Sequence, residues 1–237
     1  MDDIATLFLE RGGKFHISVN ELVERYSQVK AFLFDWDGVF NSGWKGGNAS
    51  SGFSEIDSMG TNLMRFGKYL ESNGQVPITA ILTGADNQAA YDLAGREHFN
   101  QVYFKVPNKT LAWKHFLELN SLKAEEVAFF YDDVLDIPVA REAGVKIFIH
   151  SSSKILFAEY VRSKHLAHYE TGGSGEEHGV RESCELLMGL SGRHQEIFDN
   201  RIAFSDSYAN YLGQRNSQLT TLYSMNKEGA VAEHHVI

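Results

Sequence analysis

Five short apolar runs separated by helical patterns constrain this chain more than any other feature. Residues 31–34, 78–82, 101–104, 127–131 and 145–149 are continuously apolar, without the strict alternation of a half-exposed strand. Runs of that kind suit strands covered on both faces. Between them, 60–73, 87–98, 109–119 and 137–143 carry helical spacing, with Asn108 and Asp136 in N-cap positions and Pro138 in a first turn. Alternating strands and helices predict an α/β fold, a doubly wound parallel sheet with right-handed crossovers. The alternating, domain-forming pattern runs over 30–190. Residues 1–29 read as an N-terminal extension, in which Ser18-Val19-Asn20-Glu21 resembles a capping box opening a short helix to about Ser27. Residues 191–237 read as a C-terminal extension in which Phe198, Ile202 and Tyr208 suggest a last packing helix, the final 25 or so residues being a mobile tail. One link departs from a simple crossover: 39–58 is rich in glycine (Gly43, Gly46, Gly47, Gly52) and fits a β-hairpin projecting from the sheet.

Ligands of such sheets bind outside the carboxyl ends of the strands. The first strand ends in Asp35-Trp36-Asp37-Gly38-Val39, and the second in Leu82-Thr83-Gly84. Lys105 and Lys109 follow the third, and the fourth ends in Tyr131-Asp132-Asp133 with Asp136 three residues on. Each has a bland reading. Asp-x-Asp is common turn chemistry, Thr83 is an ordinary strand-end threonine, and Asp132-Asp133 can cap the next helix. Lys109 alone would be a solvated helix lysine, yet its place in a first turn opposes the helix dipole. Four bland readings on one rim are four coincidences, so the rim is the candidate site.

Charge and cysteine content narrow the classes. With 22 Lys+Arg against 31 Asp+Glu the formal charge is −9, which disfavours a general binder of nucleic acid or membrane surfaces. Any anionic substrate then needs a local cation. The single cysteine excludes an internal disulfide framework and a cysteine-rich zinc site. No apolar run approaches a membrane span, and the acidic start Met1-Asp2-Asp3 is unlike a signal peptide, so the expected compartment is the cytoplasm.

Asp-x-Asp-Gly-Val, a strand ending in Thr-Gly, a lysine and Asp-Asp-x-x-x-Asp, in this order, resemble the haloacid dehalogenase superfamily. More narrowly, Phe34 to Gly43, Pro107-Asn108-Lys109 and Gly179-Val180-Arg181-Glu182 are similar to the 3-deoxy-D-manno-octulosonate 8-phosphate (KDO 8-phosphate) phosphatase family, which includes phosphatases of nonulosonate sugars. The resemblance implies a Rossmann-like core and a Mg2+-dependent phosphatase of a small phosphorylated sugar. Its site would comprise Asp35 as nucleophile and metal ligand, Asp37 as general acid and base with its backbone carbonyl on the metal, and Asp132 as the remaining direct ligand. Thr83 would bind the phosphoryl group and Lys109 would offset its charge, with Gly84, Asp133 and Asp136 in support. The chemistry is coherent, since a carboxylate attacks an anionic phosphoryl group only where charge is screened. Between Asp37 and Thr83, and between Thr83 and Lys109, there is no room for a separate cap domain. The resemblance further implies a homotetramer in which hairpins and neighbouring chains close each site.

Three positions depart from that pattern. Ala85 stands where the family shows arginine, Ile56 stands at a second basic position, and Tyr131 replaces a glycine before Asp132. The loop Gly172-Gly173-Ser174-Gly175-Glu176-Glu177-His178 is longer and more acidic than its counterpart. These changes bear on the substrate and leave the acid, threonine and lysine set whole. A second reading, from another class, is a non-catalytic sugar-phosphate binder or assembly subunit; within the enzyme class the alternative is a phosphatase of another phosphomonoester. Cys184 shares the stripe Val180, Cys184, Leu187, Met188 and reads as a packed thiol. His150 ends the fifth strand, where it could approach the site, but a satisfied structural histidine is the better reading. Gly172–Gly175 lacks the lysine and spacing of a P-loop.

Overall fold

The computed structural model describes residues 2–45 and 51–234. In chain order the elements are α1 (Asp2–Glu10), β1 (Lys14–Phe15), α2 (Val19–Ser27), β2 (Ala31–Phe34), α3 (Glu55–Glu71), β3 (Ile78–Leu82), α4 (Gln88–Glu97) and β4 (Gln101–Tyr103). There follow α5 (Lys109–Leu119), β5 (Val127–Tyr131), α6 (Ile137–Glu142), β6 (Val145–Phe148), α7 (Ile155–Ser163) and β7 (Tyr169–Glu170). Last come α8 (Gly179–Leu190), α9 (His194–Ala203), α10 (Asp206–Asn216), β8 (Thr221–Met225) and β9 (Val231–Glu233). Among the described residues all strands join one nine-stranded sheet, ordered β1-β7-β6-β5-β2-β3-β4-β8-β9. Every pair is parallel except the two outermost, β1 with β7 and β8 with β9. The order reverses at β2, between β3 on one side and β5 on the other.

The strands are apolar on both faces because each face is covered. On β2, Phe32 and Phe34 join a cluster with α2, α3, α4 and α8, whereas Ala31 and Leu33 join one with α5, α6 and α7. Phe34 stacks on Phe130 of β5 at 4.4 Å between ring centres, which welds the two central strands. Val180, Cys184, Leu187 and Met188 line the buried face of α8, and burial pushes the Cys184 thiol up, away from nucleophilic use. Glycine at position 60 lets α3 approach α8, since a Cβ there would lie 3.0 Å from Arg181 Cδ.

Local signals acted as read at several ends and were overruled at others. Ser18 caps α2, its Oγ accepting from Glu21 N at 3.2 Å, but the Glu21 carboxylate turns to Arg25 at 2.9 Å and does not complete the box. Helix α3 begins at Glu55, five residues earlier than its apolar spacing suggests, because Ser54 accepts from Ile56 N at 3.1 Å and starts the turn. Of the hairpin expected over 39–58, the described residues 39–45 and 51–54 form turns and irregular backbone with no strand, and 46–50 lie outside the described residues. No separate cap domain interrupts the described chain between the motif segments.

The two ends of the chain pack on this sheet. β1 pairs with β7, and β8 pairs with β4. The stretch read as a mobile tail therefore contributes a ladder, with Tyr223 stacked on Tyr103 at 5.2 Å. Its alternation is weak in sequence because most of its side chains stay half-buried. Phe198 and Tyr208 do pack inward, but from two helices, α9 and α10, while Ile202 points to solvent at 81% exposure. Tyr208 donates to Asn62 Oδ1 at 3.0 Å and Tyr211 to Asn62 O at 3.1 Å, tying α10 to α3. No helix among the described residues is long and apolar enough to cross a membrane.

Candidate active site

The rim at the carboxyl ends of β2, β3, β4 and β5 gathers most of the singled-out side chains. Asp35 follows β2 directly, its N–H donating to Phe130 O at 2.9 Å, so the β2–β5 ladder sets its position. Asp132 follows β5, and Asp136 ends the short 3-10 turn Val134–Asp136. Asp35, Asp132 and Asp136 are all buried, and each offers a carboxylate oxygen within 4.8 Å of the others. Lys109, in the first turn of α5, lies between two of them, donating to Asp35 Oδ1 and to Asp136 Oδ1 at 2.5 Å each. Asn108 holds that turn by accepting from Thr110 N at 3.2 Å. The dipole misfit of Lys109 is thus offset by two carboxylates.

Burial dominates the electrostatics. It raises the carboxyls of Asp35 and Asp132 to about 6 and that of Asp136 to about 7, against the pull of Lys109 and Lys154. Burial also works to lower Lys109, but Asp136 and Asp35 outweigh it and hold the ammonium above its ordinary value. Among the described residues, two buried carboxylate oxygens, Asp132 Oδ1 and Asp37 Oδ1, find no hydrogen-bond partner. A buried carboxylate oxygen without a donor is costly unless a cation serves it, so this donor set fits a hard divalent ion.

Around this centre the remaining residues differ in how closely they engage. Asp37 Oδ2 accepts from Asn87 Nδ2 at 3.1 Å and pairs with Lys45 at 2.7 Å. Thr83, buried at the end of β3, accepts from Ala85 N at 3.2 Å through Oγ1, leaving its hydroxyl proton for a ligand. Gly84 is exposed, and a Cβ there would meet nothing within 4 Å, so no contact demands glycine. Asp133 caps the 3-10 turn, accepting from Val134 N at 2.6 Å. Lys105 stands apart, paired with Asp86 at 2.5 Å. Gly38 is required: its φ is +85° and a Cβ would fall 2.0 Å from Asp132 Oδ2.

Tyr131 turns away from the rim. Its ring stacks on Phe129 at 5.6 Å beneath α6 and α7, and its hydroxyl donates to Leu166 O at 2.8 Å. The bulk before Asp132 thus fills the core and leaves the carboxylate cluster open. The glycine-rich loop at 172–178 forms a wall of the site, since a Cβ at Gly175 would lie 2.4 Å from Gly38 O. Glu182 pins that loop by accepting from Gly172 N and Gly173 N at 2.7 and 2.9 Å. A cavity of about 550 Å³ opens between this wall, Asn41, Asp132 and the segment 150–154.

Sequence reasoning missed Lys154, which pairs with Asp132 Oδ2, with Asp133 Oδ2 at 2.9 Å and with Asp132 O at 3.1 Å. The signal was present, because His150-Ser151-Ser152-Ser153-Lys154 is the polar end of the fifth apolar run. Asn87 and Lys45 carried no comparable signal, since their link to Asp37 spans 50 and 8 positions of unrelated pattern.

No protein-family model matches the chain. The KDO 8-phosphate phosphatase KdsC of Escherichia coli (strain K12) is 26% identical over 180 residues, covering 74% of this chain and 88% of that protein. The KdsC of Salmonella typhi is 28% identical over 181 residues, covering 74% and 87%. In fold, the chain is similar to the KDO 8-phosphate phosphatase of Moraxella catarrhalis, solved with magnesium, phosphate and KDO, with a TM-score of 0.62, 22% identity and coverage of 78% and 98%. The Yersinia pestis enzyme of that name gives a TM-score of 0.60 at 23% identity, covering 74% and 89%.

Proposed function

We propose that this chain, a member of the KDO 8-phosphate phosphatase-like family of the haloacid dehalogenase superfamily, is a Mg2+-dependent phosphomonoester hydrolase acting on a small phosphorylated sugar. The observation that carries this reading is the buried cluster of Asp35, Asp132 and Asp136, in which Asp132 Oδ1 has no partner among the described residues and Asp35 is already paired with Lys109. Asp35, Asp132 and the backbone carbonyl of Asp37 would hold the ion. Bound Mg2+ screens the charge between carboxylate and phosphate and polarises a phosphoryl oxygen.

The protein groups supply the rest. An Asp35 oxygen attacks phosphorus and the bond from phosphorus to the sugar oxygen breaks, leaving an aspartyl phosphate. Asp37 gives its proton to the departing oxygen. It then takes a proton from the water that attacks the same phosphorus, releasing inorganic phosphate and restoring Asp35. Thr83 donates its free hydroxyl proton to the phosphoryl group. Lys109 offsets the charge that accumulates on Asp35 and phosphate, with Asp136 fixing its ammonium, and Asp133 steadies the turn that carries Asp132. KDO 8-phosphate and nonulosonate 9-phosphates are the first candidate substrates.

The working unit is a cytoplasmic homotetramer. Trp44, 73% exposed on the segment expected to project, favours assembly, and the buried free thiol of Cys184 suits a reducing compartment. Light scattering of the purified protein checks the subunit count. The functional test is phosphate release from KDO 8-phosphate and other sugar phosphates, with and without Mg2+, for wild type and Asp35→Asn. Metal-dependent release in wild type and none from a folded Asp35→Asn protein is the expected result. Undiminished release from the variant refutes the mechanism.

A further inference from the structure

The cavity beside Asp132 contains a histidine for which the reaction above has no use. We propose that this cavity receives the hydroxyl-bearing part of the substrate, and that His150 reads it by accepting a hydrogen bond from a substrate hydroxyl through Nε2. The inference rests on the phosphatase reading and adds a specificity residue to it.

The tautomer of His150 follows from its neighbour. Nδ1 lies 3.1 Å from Glu170 Oε1, and the Glu170 side chain is wholly buried on β7. That carboxylate also receives Arg162 at 2.6 and 2.9 Å, and Lys14 and His16 at 3.3 Å each. Burial works to raise Glu170, but His16, Arg162 and Lys14 outweigh it and hold the carboxyl well below its usual range. An ionised carboxylate only accepts, so Nδ1 carries the proton and donates. In the neutral ring Nε2 is then left with a lone pair, on a side chain still 28% exposed and bordering the cavity. The backbone is fixed as well, since His150 N donates to Thr171 Oγ1 at 2.9 Å.

The rest of the lining decides what kind of ligand fits. Lys154 is fully engaged by Asp132 Oδ2, Asp132 O and Asp133 Oδ2, so its ammonium has no spare donor. The hydroxyls of Ser151 and Ser153 lie 3.0 Å apart, free to bond each other or a ligand. Glu177 accepts from Ser174 N and Oγ at 3.0 Å each, and the neighbouring Glu176 is exposed. A second anionic group pointing here would meet Asp132, Glu176 and Glu177. A run of hydroxyls instead finds acceptors at Nε2 and Glu176, and serine hydroxyls between them. The cavity thus suits a polyhydroxylated carbon chain next to the phosphoester.

The test separates recognition of the sugar from turnover at phosphorus. Steady-state kinetics are measured with Mg2+ on p-nitrophenyl phosphate, which has no aliphatic hydroxyl, and on whichever sugar phosphate the wild type turns over best. His150→Phe should raise KM for the sugar phosphate about 3- to 10-fold, the worth of one ordinary hydrogen bond, with kcat within about twofold. p-Nitrophenyl phosphate should show no change in either constant. His150→Gln, whose amide oxygen accepts, should recover most of the loss. A general loss of folding would strike both substrates, and circular dichroism melting curves identify it directly. Equal effects on both substrates, or none on either from an active wild type, overturn the role of His150. A wild type releasing phosphate from neither substrate overturns the phosphatase reading and this inference together.

Discussion

Tyr131 immediately precedes the candidate metal ligand Asp132, and Tyr131→Phe decides whether its side chain belongs to the core or to the site. The ring is 0% exposed, lies 5.6 Å from Phe129 and 5.5 Å from Phe148, and places its hydroxyl 2.8 Å from Leu166 O. Phenylalanine keeps the ring and both aromatic contacts and removes only that hydrogen bond. The Leu166 carbonyl, on a residue 5% exposed, then loses its donor from β5. Leaving a buried acceptor unserved costs about 1–3 kcal/mol, and no new cavity adds to it. In a chain of this length each kcal/mol moves the melting temperature by roughly 2–4 °C, so a fall of about 2–12 °C is expected. Urea unfolding followed by circular dichroism gives the free energy, and phosphate release with saturating Mg2+ gives kcat. Stability should fall while kcat stays within about twofold, because the hydroxyl's hydrogen bond goes to Leu166 O, beyond the end of α7, and not to a site residue. Tyr131→Gly also removes the ring, and should lose a further 3 kcal/mol or more, as aromatic truncations in cores do. A Tyr131→Phe protein as stable as wild type, or one with unchanged stability and altered kcat, refutes this placement.

Three further outcomes follow from the same geometry. Gly38→Ala puts a Cβ on Asp132 Oδ2 and a side chain at φ +85°; it should cost at least about 1–2 kcal/mol and weaken Mg2+ binding by titration calorimetry, and wild-type binding would contradict the close approach. Asp35 and Asp136, raised to about 6 and 7 by burial, favour folding fully below the ordinary carboxyl range and lose that contribution as pH rises through those values. Metal-free wild type should therefore lose more melting temperature between pH 5 and pH 8 than Asp136→Asn does, with Mg2+ restoring the loss at pH 8; an equal slope in the two would count against this origin. Arg215→Met removes the partner of buried Glu97, 2.8 Å away, and should destabilise by about 2–4 kcal/mol in urea, Arg96 at 3.5 Å limiting the loss; an unchanged unfolding midpoint would show that α10 is not anchored there.

Much of the candidate site was legible because its residues sit at strand ends, where a local pattern change marks them. Asp35, Thr83, Lys109 and Asp132 follow apolar runs directly or within a short loop, and the order of those runs already places them on one rim. Lys154 and His150 obey the same rule at the fifth run; Lys154 went unread, and His150, weighed at the strand end, reads first as a structural histidine. Asn87 and Lys45 meet Asp37 only through the path of the connecting loops, which no spacing encodes. The direction of Tyr131 was equally out of reach, since a strand end lets a ring turn to either face until packing chooses.

The sequence by itself determined the parallel α/β core, because both its signals, unbroken apolar runs and helical spacing, act within a dozen residues. It also determined the order of the acids, the threonine and the lysine along one edge. Only the tertiary structure decided the margins. β1 and β7 are two residues each and carry no period of their own; β7 exists because β6 satisfies its backbone groups on one side, and β1 because β7 offers the other. β8 becomes a strand because β4 offers an open edge and Tyr103 a ring to stack on. The protonation of Asp35, Asp132 and Asp136 likewise arises from burial together with partners brought from three strand ends and a helix start. Charges that distant in the chain interact only after the sheet has assembled.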